Sequence, residues 1–285
     1  MERILVLTDF SDIAKHGLEG AVRLAQQMGG AEILLLNTEP SPQGREFSAT
    51  GDIYYTDNHE EDRFMVALIR KNKQRLQELS AAYEGNGVRI TPYIEVGPMQ
   101  EVVDAFMNKH KPDLIVMGTS GENTFEEYFV GNHTEQVIRI AKVPVITVKV
   151  TDRTTDIRNI VLATDMNDKA HNGLRHIKVL ADRLRAHLHL VYVTKSGKIQ
   201  QRRSDVETYA RNQGLANYTI EAIEDSDIED GIKRYAAKVG ADLIAVITHG
   251  RNGLSAMLSH SVAEDVIREA SVPVLTVNMN EAAKL

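Results

Sequence analysis

The stretch RILVLTDFSD at residues 3–12 decides the fold, because a close copy of it, NIVLATDMND, stands at residues 159–168. A second pair repeats further along the chain, where PDLIVMGTSG at 112–121 matches ADLIAVITHG at 241–250. The first pair is 156 positions apart and the second is 129 apart. A repeat of this length is too long for a solenoid unit and predicts a duplicated domain.

The change in repeat spacing predicts an insertion in the first copy. The spacing falls from 156 to 129 between Thr38 and Glu95, so the first copy carries about 27 extra residues there. The stretch near 41–62 is rich in turn-forming residues and is predicted to be this insertion, as a loop. The domains are therefore predicted at residues 1–150 and 151–285.

Within each copy, strand patterns alternate with helix patterns. Short continuous apolar runs such as residues 3–8 are typical of buried strands, and amphipathic stretches such as residues 12–29 are typical of helices. Alternation of this kind predicts crossover connections and a parallel sheet. The predicted fold class is α/β, with two Rossmann-like (flavodoxin-like) domains. Each is expected to be a five-stranded parallel sheet with helices on both faces, and its ligands are expected at the carboxyl ends of the strands.

Composition limits the classes of partner and compartment. The chain has no cysteine, which excludes disulfides and cysteine metal sites and fits a reducing compartment. Residues 1–150 hold 15 Lys and Arg against 22 Asp and Glu, whereas residues 151–285 hold 18 of each. This acidic balance argues against a nucleic-acid partner. No apolar run is long enough for a membrane helix, and the start MERILVLTDFSD is unlike a secretory signal, so the expectation is a cytoplasmic protein away from membranes.

The loop GTSGENTFEEYFVGN at residues 118–132 is the strongest candidate for a binding site. Gly118 ends the fourth strand and Gly131 opens the next helix, whose N-terminal N–H groups attract anions. Asp9 ends the first strand at the same edge, where a carboxylate could hold a ribose hydroxyl or Mg²⁺. The alternatives are a plain turn for the loop and helix capping for Asp9.

The pattern G-x2-G-x9-G, the first-strand TDFS, the closing VPVITV and the duplication together resemble the universal stress protein family, in a tandem form. The resemblance covers both copies and implies a five-stranded parallel α/β domain. Some members of that family bind ATP through the glycine loop and the first-strand aspartate, and others lack the loop. For this chain the resemblance implies a site for ATP, with or without Mg²⁺, with Asn37 and Thr38 near the adenine. The implied site residues are Thr8, Asp9, Asn37, Thr38, Gly97, Met117, Gly118, Gly121, Gly131, Asn132 and His133.

Two features of the first copy weigh against this site. Asn132 stands where the family usually has Ser or Thr, although an amide can still donate a hydrogen bond. Glu122, Glu126 and Glu127 lie inside the loop, and each opposes phosphate binding by about 1 kcal/mol if it faces the ligand. Solvent exposure of these glutamates or a bound Mg²⁺ would offset the repulsion.

The second copy departs further from the pattern. Ile247 replaces Gly118 and His260 replaces Gly131, while Gly250 remains opposite Gly121. This copy is not expected to bind ATP in the usual way. Because loop length is unchanged, the glycines kept in the first copy are interpreted as serving a ligand rather than the fold.

The last strands suggest how the copies meet. A strand at a sheet edge invites pairing, so residues 143–150 and 272–279 are predicted to pair within the chain and form an intramolecular pseudo-dimer, with a homodimer as a further expectation. His187 and His189 share a strand face, yet no third ligand can be named, so no metal site is predicted.

The sequence favours a regulatory stress-response protein with nucleotide in the N-terminal domain. No catalytic residue is assigned and the chain is predicted not to be an enzyme, because it has no P-loop motif and no nucleophile–base pair, although weak ATPase activity stays open. The alternative is a nucleotide-free scaffold that acts through protein–protein contacts.

Overall fold

A computed structural model gives the architecture of most of the chain. The predictions for Gly121, for Gly131 and for the glutamates of the glycine loop lie outside the described residues, as does most of the predicted insertion. The described residues are 1–40, 59–85, 87–119, 132–152, 156–166, 171–195, 197–248 and 260–278.

The N-terminal half alternates strands and helices in the predicted order, and the central residues of its first two strands are buried apolar runs. Its elements are β1 Arg3–Leu7, α1 Asp12–Gln27, β2 Ala31–Glu39, α2 His59–Tyr83, β3 Val88–Val96, α3 Met99–His110, β4 Leu114–Thr119, α4 Asn132–Ile140 and β5 Val145–Lys149.

The C-terminal half repeats this order element by element. Its elements are β6 Asn159–Ala163, α5 His171–Leu184, β7 His187–Thr194, α6 Ile199–Asn212, β8 Tyr218–Glu224, α7 Ile228–Val239, β9 Leu243–Thr248, α8 His260–Glu269 and β10 Val274–Asn278.

The strands form one ten-stranded sheet in the order β3-β2-β1-β4-β5-β10-β9-β6-β7-β8. All pairs within each half are parallel, and β5 pairs with β10 antiparallel. Helices α1, α2, α5 and α6 cover one face with one apolar core, while α3, α4, α7 and α8 cover the other. The α/β fold class predicted from the sequence is confirmed.

Helix α1 shows how local sequence sets the element boundaries. The Ser11 side chain accepts a hydrogen bond from the Ala14 N–H at 3.1 Å, so Ser11 is the N-cap that starts the helix. At the other end Gly29 takes a φ of +83°, a conformation that glycine adopts without strain. None of the helices in the described ranges is long and apolar enough to cross a membrane.

The strands β5 and β10 lie at the centre of the sheet, although each is the last strand of its own half. Val274 faces Thr147 across the antiparallel pair, and Thr276 faces Val145. All four residues are buried. An exposed edge of this composition would template aggregation, and the antiparallel pairing removes it.

Each half also holds the end of the other half's last helix. The buried Lys149 at the end of β5 donates from Nζ to the carbonyl oxygens of Arg268 and Ala270, at 2.5 and 2.6 Å, where α8 ends. At the matching place in the other half, the Asn278 amide donates to the carbonyl oxygen of Arg139 at 3.1 Å, where α4 ends. A cation at a helix C-terminus pairs with orphan carbonyls and with the helix dipole.

Glycine at position 118 is required by packing. A Cβ on Gly118 would lie 1.9 Å from the carbonyl oxygen of Ile13, and one on Gly17 would lie 2.4 Å from the Gly118 nitrogen. Backbone of α1 therefore lies directly on β4. In the second half, the Ile247 side chain occupies this space against Gly173. Packing thus gives Gly118 a role in the fold, in addition to the ligand role expected from the sequence.

Substituting Lys149 by Met should destabilise the protein more than substituting Asn278 by Ala. Lys149→Met leaves carbonyls at the end of α8 without their buried ammonium partner, which should lower the free energy of unfolding by about 2–3 kcal/mol. Asn278→Ala removes one exposed neutral hydrogen bond and should cost about 0.5–1 kcal/mol. Urea unfolding of both variants measures this, and equal losses would contradict the assigned role of Lys149.

Two glycines of α1 give a matched test of the helix–strand contact. Gly17→Ala drives a Cβ into the backbone of β4 and should lower the free energy of unfolding by about 1–3 kcal/mol. Gly20→Ala meets a Val148 methyl at 3.1 Å, and the higher helix propensity of Ala, about 1 kcal/mol, offsets that contact. Thermal unfolding should separate the two variants, and similar losses in both would disprove the backbone contact.

Candidate functional site

The strand order places a crevice between β1 and β4. From the carboxyl end of β1 the chain continues to α1 on one face of the sheet, and from the carboxyl end of β4 it continues to α4 on the opposite face. The two connections therefore diverge at the carboxyl ends of β1 and β4, and the sheet opens there. Ligands of open parallel sheets bind at such a switch point.

A cavity of about 410 Å³ occupies this crevice. Six of the eleven predicted site residues line it: Thr8, Asp9, Thr38, Met117, Gly118 and His133. Its other lining residues are Leu7, Ser11, Ile13, Ala14, Leu36, Met99, Thr119 and Thr134. The structure thus brings the ends of β1, β2 and β4 together with the first turns of α1, α3 and α4.

The turn after β1 is built by its own side chains. The Thr8 hydroxyl oxygen accepts a hydrogen bond from the Phe10 N–H at 3.1 Å, and Phe10 has a φ of +67°. The Asp9 carboxylate accepts from the Ser11 N–H at 2.9 Å. Asp9 is exposed and lines the cavity, so one carboxylate oxygen holds the turn while the other can face a ligand.

The second half repeats the same turn. The Thr164 hydroxyl oxygen accepts from the Met166 N–H at 3.0 Å, and Met166 has a φ of +59°. The threonine and the left-handed residue therefore belong to the fold and do not by themselves indicate a ligand.

Asn37 and Gly97 are not among the residues that line the cavity. Alternation along β2 turns Asn37 to the opposite face from Leu36 and Thr38. There its buried amide donates to the Thr8 carbonyl oxygen at 2.9 Å and stabilises the turn after β1 from the face away from the cavity. Gly97 follows the edge strand β3, and its N–H donates to the Glu39 carbonyl oxygen at 2.8 Å. Asn132 is the first residue of α4, and its side chain lies outside the described part.

The cavity wall combines an apolar surface with neutral hydrogen-bonding groups. The apolar part includes Leu7, Leu36, Met99 and Met117, and the hydroxyl groups are those of Thr8, Ser11, Thr38, Thr119 and Thr134. No Lys or Arg occurs among the lining residues that the structure describes, and Asp9 supplies a negative charge. An anionic ligand would therefore depend on N–H and O–H donors, on the N-terminus of α4 or on a bound cation.

Positive side chains lie in an adjoining cavity of about 290 Å³. It shares Thr8 and Ser11 with the larger cavity and is also lined by Lys15 and Arg75. The Arg75 guanidinium stacks over the Phe10 ring at 4.0 Å, so part of its surface is already used by the turn after β1.

Sequence reasoning missed several lining residues, of which Thr119 and Met99 are the most informative. Thr119 stands two residues after Met117 on β4, so strand alternation places both on one face and could have identified it. Met99 begins α3, and no motif marks it. The tight approach of Ile13 to Gly118 depends on how α1 packs, which no local pattern encodes.

The paired histidines on β7 hydrogen-bond to neighbouring strands. The Nδ1 atom of His187 lies 2.8 Å from Asn217 Oδ1, and the Nδ1 atom of His189 lies 2.8 Å from Thr219 Oγ. The second nitrogen of His189 lies 3.2 Å from Asn159 Oδ1. Burial lowers the pKa of His189, and the adjacent His187 lowers it further. Within the described ranges, no group of three or more His, Cys, Asp or Glu residues could hold a metal ion.

Comparison with known proteins agrees with the fold and with the duplication. A universal stress protein of Methanocaldococcus jannaschii is 29% identical over 150 residues, which cover 52% of this chain and 82% of that protein. A universal stress protein of Synechocystis is 25% identical over 291 residues, which cover 97% of this chain and 99% of that protein.

The similarity of fold extends over the whole chain. The crystal structure of a universal stress protein from Archaeoglobus fulgidus superposes with a TM-score of 0.72 at 20% identity and covers 97% of this chain and 96% of that chain. The model of the universal stress protein family matches the chain twice, at residues 1–149 and 156–278. The chain therefore belongs to the universal stress protein family, as a member with two such domains in tandem.

Proposed function

We propose that this chain is a regulatory stress-response protein that binds an adenine nucleotide, ATP, in its N-terminal half. The second half acts as a structural partner with a degenerate site. No catalytic residue is assigned, because no described side chain of the cavity forms a nucleophile–base pair. The output of binding is then a change in conformation or in protein contacts rather than a chemical product.

The observation that carries this proposal is the cavity at the switch point. Its volume of about 410 Å³ lies in the range of small-ligand sites. Its apolar wall, from Leu36 to Met117, suits the flat face of a purine, and its hydroxyl groups suit a ribose and phosphates. Six of the site residues proposed on the family pattern, Asp9 and His133 among them, line this cavity from separate elements.

Mg²⁺ fits the charge balance of the proposed site. Asp9 would repel a bare triphosphate, and the described lining has no Lys or Arg to compensate. Mg²⁺ is commonly held by one or two carboxylates together with substrate phosphates. Asp9 is the described carboxylate placed to do this, and the metal would neutralise the phosphate charge beside it.

Restriction of the nucleotide to the N-terminal half is supported by the contrast at Gly118. In the second half, the buried Ile247 fills the corresponding position at the end of β9. A β-branched side chain there leaves no room for α5 to approach as closely as α1 does. The geometry of the second crevice must therefore differ, and we propose that it does not accept ATP in the same pose.

The domain limits 1–150 and 151–285, the intramolecular pseudo-dimer and a cytoplasmic location are parts of the same proposal. The antiparallel pairing of β5 with β10 and the reciprocal caps at Lys149 and Asn278 support the pseudo-dimer. A further homodimer would need a surface other than these two strands. The absence of cysteine fits a reducing compartment.

A nucleotide-free scaffold is the second candidate function. It is favoured by the acidic balance of residues 1–150, which disfavours a phosphate-rich ligand and suits a basic protein partner. Denaturing the purified protein and analysing the supernatant for adenine nucleotide separates the two functions. Absence of nucleotide, together with no heat of ATP·Mg²⁺ binding in calorimetry, would favour the scaffold.

Asp9→Asn and Asp165→Asn form a matched pair that tests the site. Asp9→Asn keeps an acceptor for the Ser11 N–H but removes the charge, so ATP·Mg²⁺ affinity should fall about 10- to 100-fold. Asp165→Asn makes the same change at the equivalent position of the second half and should leave the affinity unchanged. Titration calorimetry measures both.

Glycine substitutions provide an independent control. Gly131→Val should abolish binding, because a side chain would block the close approach of backbone to phosphate. Binding that survives Gly131→Val, or that falls equally in both aspartate variants, would rule out the proposed site. Slow phosphate release that disappears in Asp9→Asn would instead indicate an ATPase.

A further inference from the structure

The hydroxyl group of Thr119 has an unusual environment. Thr119 ends β4, is only 3% exposed and lines the crevice cavity. Its Oγ atom is buried and has no hydrogen-bond partner within the described residues. Buried polar side-chain atoms are normally paired, so an orphaned hydroxyl at the wall of a cavity calls for a physical reason.

The duplicated half provides an internal control for this hydroxyl. Thr248 occupies the equivalent position at the end of β9 and is similarly buried, at 2% exposed. Its Oγ donates to the Val277 carbonyl oxygen of the adjacent strand, in a long hydrogen bond of 3.5 Å. The matching acceptor for Thr119 would be the Val148 carbonyl oxygen, which Thr119 does not use. The fold therefore allows this hydroxyl to be paired within the sheet.

Strand packing does not explain why a hydroxyl stands at position 119. Valine has nearly the same shape and an equal preference for strands, and it would fill the site without burying an unpaired polar atom. The Thr119 Oγ atom is itself buried, so a ligand in the cavity would become its partner through rotation of the side chain about χ1 toward the cavity. The neighbouring elements indicate which part of a ligand this would be. His133 and Thr134 in the first turn of α4 line the same cavity, and helix N–H groups there favour an anion.

We propose that the Thr119 hydroxyl is a ligand-contacting group of the N-terminal crevice that donates a hydrogen bond to a phosphate oxygen of the bound nucleotide. This inference rests on the proposed function, because it needs a nucleotide in that cavity. It assigns specificity for phosphate to a neutral side chain, in a lining whose described residues include no Lys or Arg.

Thr119→Val tests the proposal, because it removes the hydroxyl and keeps the shape. The affinity for ATP·Mg²⁺ should fall about 5- to 20-fold in titration calorimetry, whereas the weaker binding of adenosine should stay unchanged. The melting temperature of the ligand-free variant should be equal to or above that of the wild type, since a buried unpaired group is lost. Thr119→Ser keeps the hydroxyl and should bind ATP·Mg²⁺ within about twofold of the wild type.

Thr248→Val is the matched control in the second half. It removes a hydroxyl that is paired within the sheet, so it should lower the melting temperature slightly and leave ATP·Mg²⁺ affinity unchanged. Wild-type affinity in Thr119→Val would overturn the Thr119 assignment while leaving nucleotide binding intact. An equal loss for adenosine would also overturn it, since the hydroxyl would then contact the nucleoside. No binding of ATP·Mg²⁺ by the wild type would overturn both the assignment and the proposed function.

Discussion

The antiparallel pairing of β5 with β10 is the constraint on which the rest of the structure depends. Each half alone would end in an apolar strand with unpaired N–H and C=O groups. Joining these strands satisfies both edges and makes one ten-stranded sheet from two parallel ones. Because the joint is antiparallel, the carboxyl ends of the two halves point in opposite directions. The switch points of the two halves therefore lie at opposite ends of the sheet.

This geometry gives the last helix of each half two separate attachments. The first turn of α4 lines the N-terminal crevice through Thr134, while its last turn is held by Asn278 of the other half. Helix α8 is held in the same way by Lys149, with a buried charge in place of an amide. The N-terminal crevice is thus positioned partly by residues of the C-terminal half. A second half whose glycine loop has diverged is still needed as the partner that completes the first.

Much of the fold could be predicted from the sequence, because the sequence contains two copies of one domain. The repeats located the two halves, and the continuous apolar run at residues 3–8 located β1, which the structure gives as Arg3–Leu7. Features that depend on tertiary packing could not be predicted from the sequence. The family resemblance implied Asn37 near the adenine, but strand alternation turns its amide away from the cavity, where it donates to the Thr8 carbonyl oxygen. The approach of Ile13 to Gly118 depends on how α1 lies on β4, and no pattern within either segment encodes it.

The contact between Ile13 and Gly118 also limits which residues can be taken as evidence for a ligand. A glycine that persists in one copy and not in the other suggests a ligand only if packing does not need it, and at Gly118 packing does. Ile247 in the second half then reflects a helix that stands further from its strand, which changes the crevice as a secondary effect. Thr119 and Thr248 allow a stricter comparison, because the residue is the same in both halves and the hydrogen bond differs. A buried polar atom that has no hydrogen-bond partner, in a residue that lines a cavity, is better evidence of a ligand than a glycine that lacks a side chain.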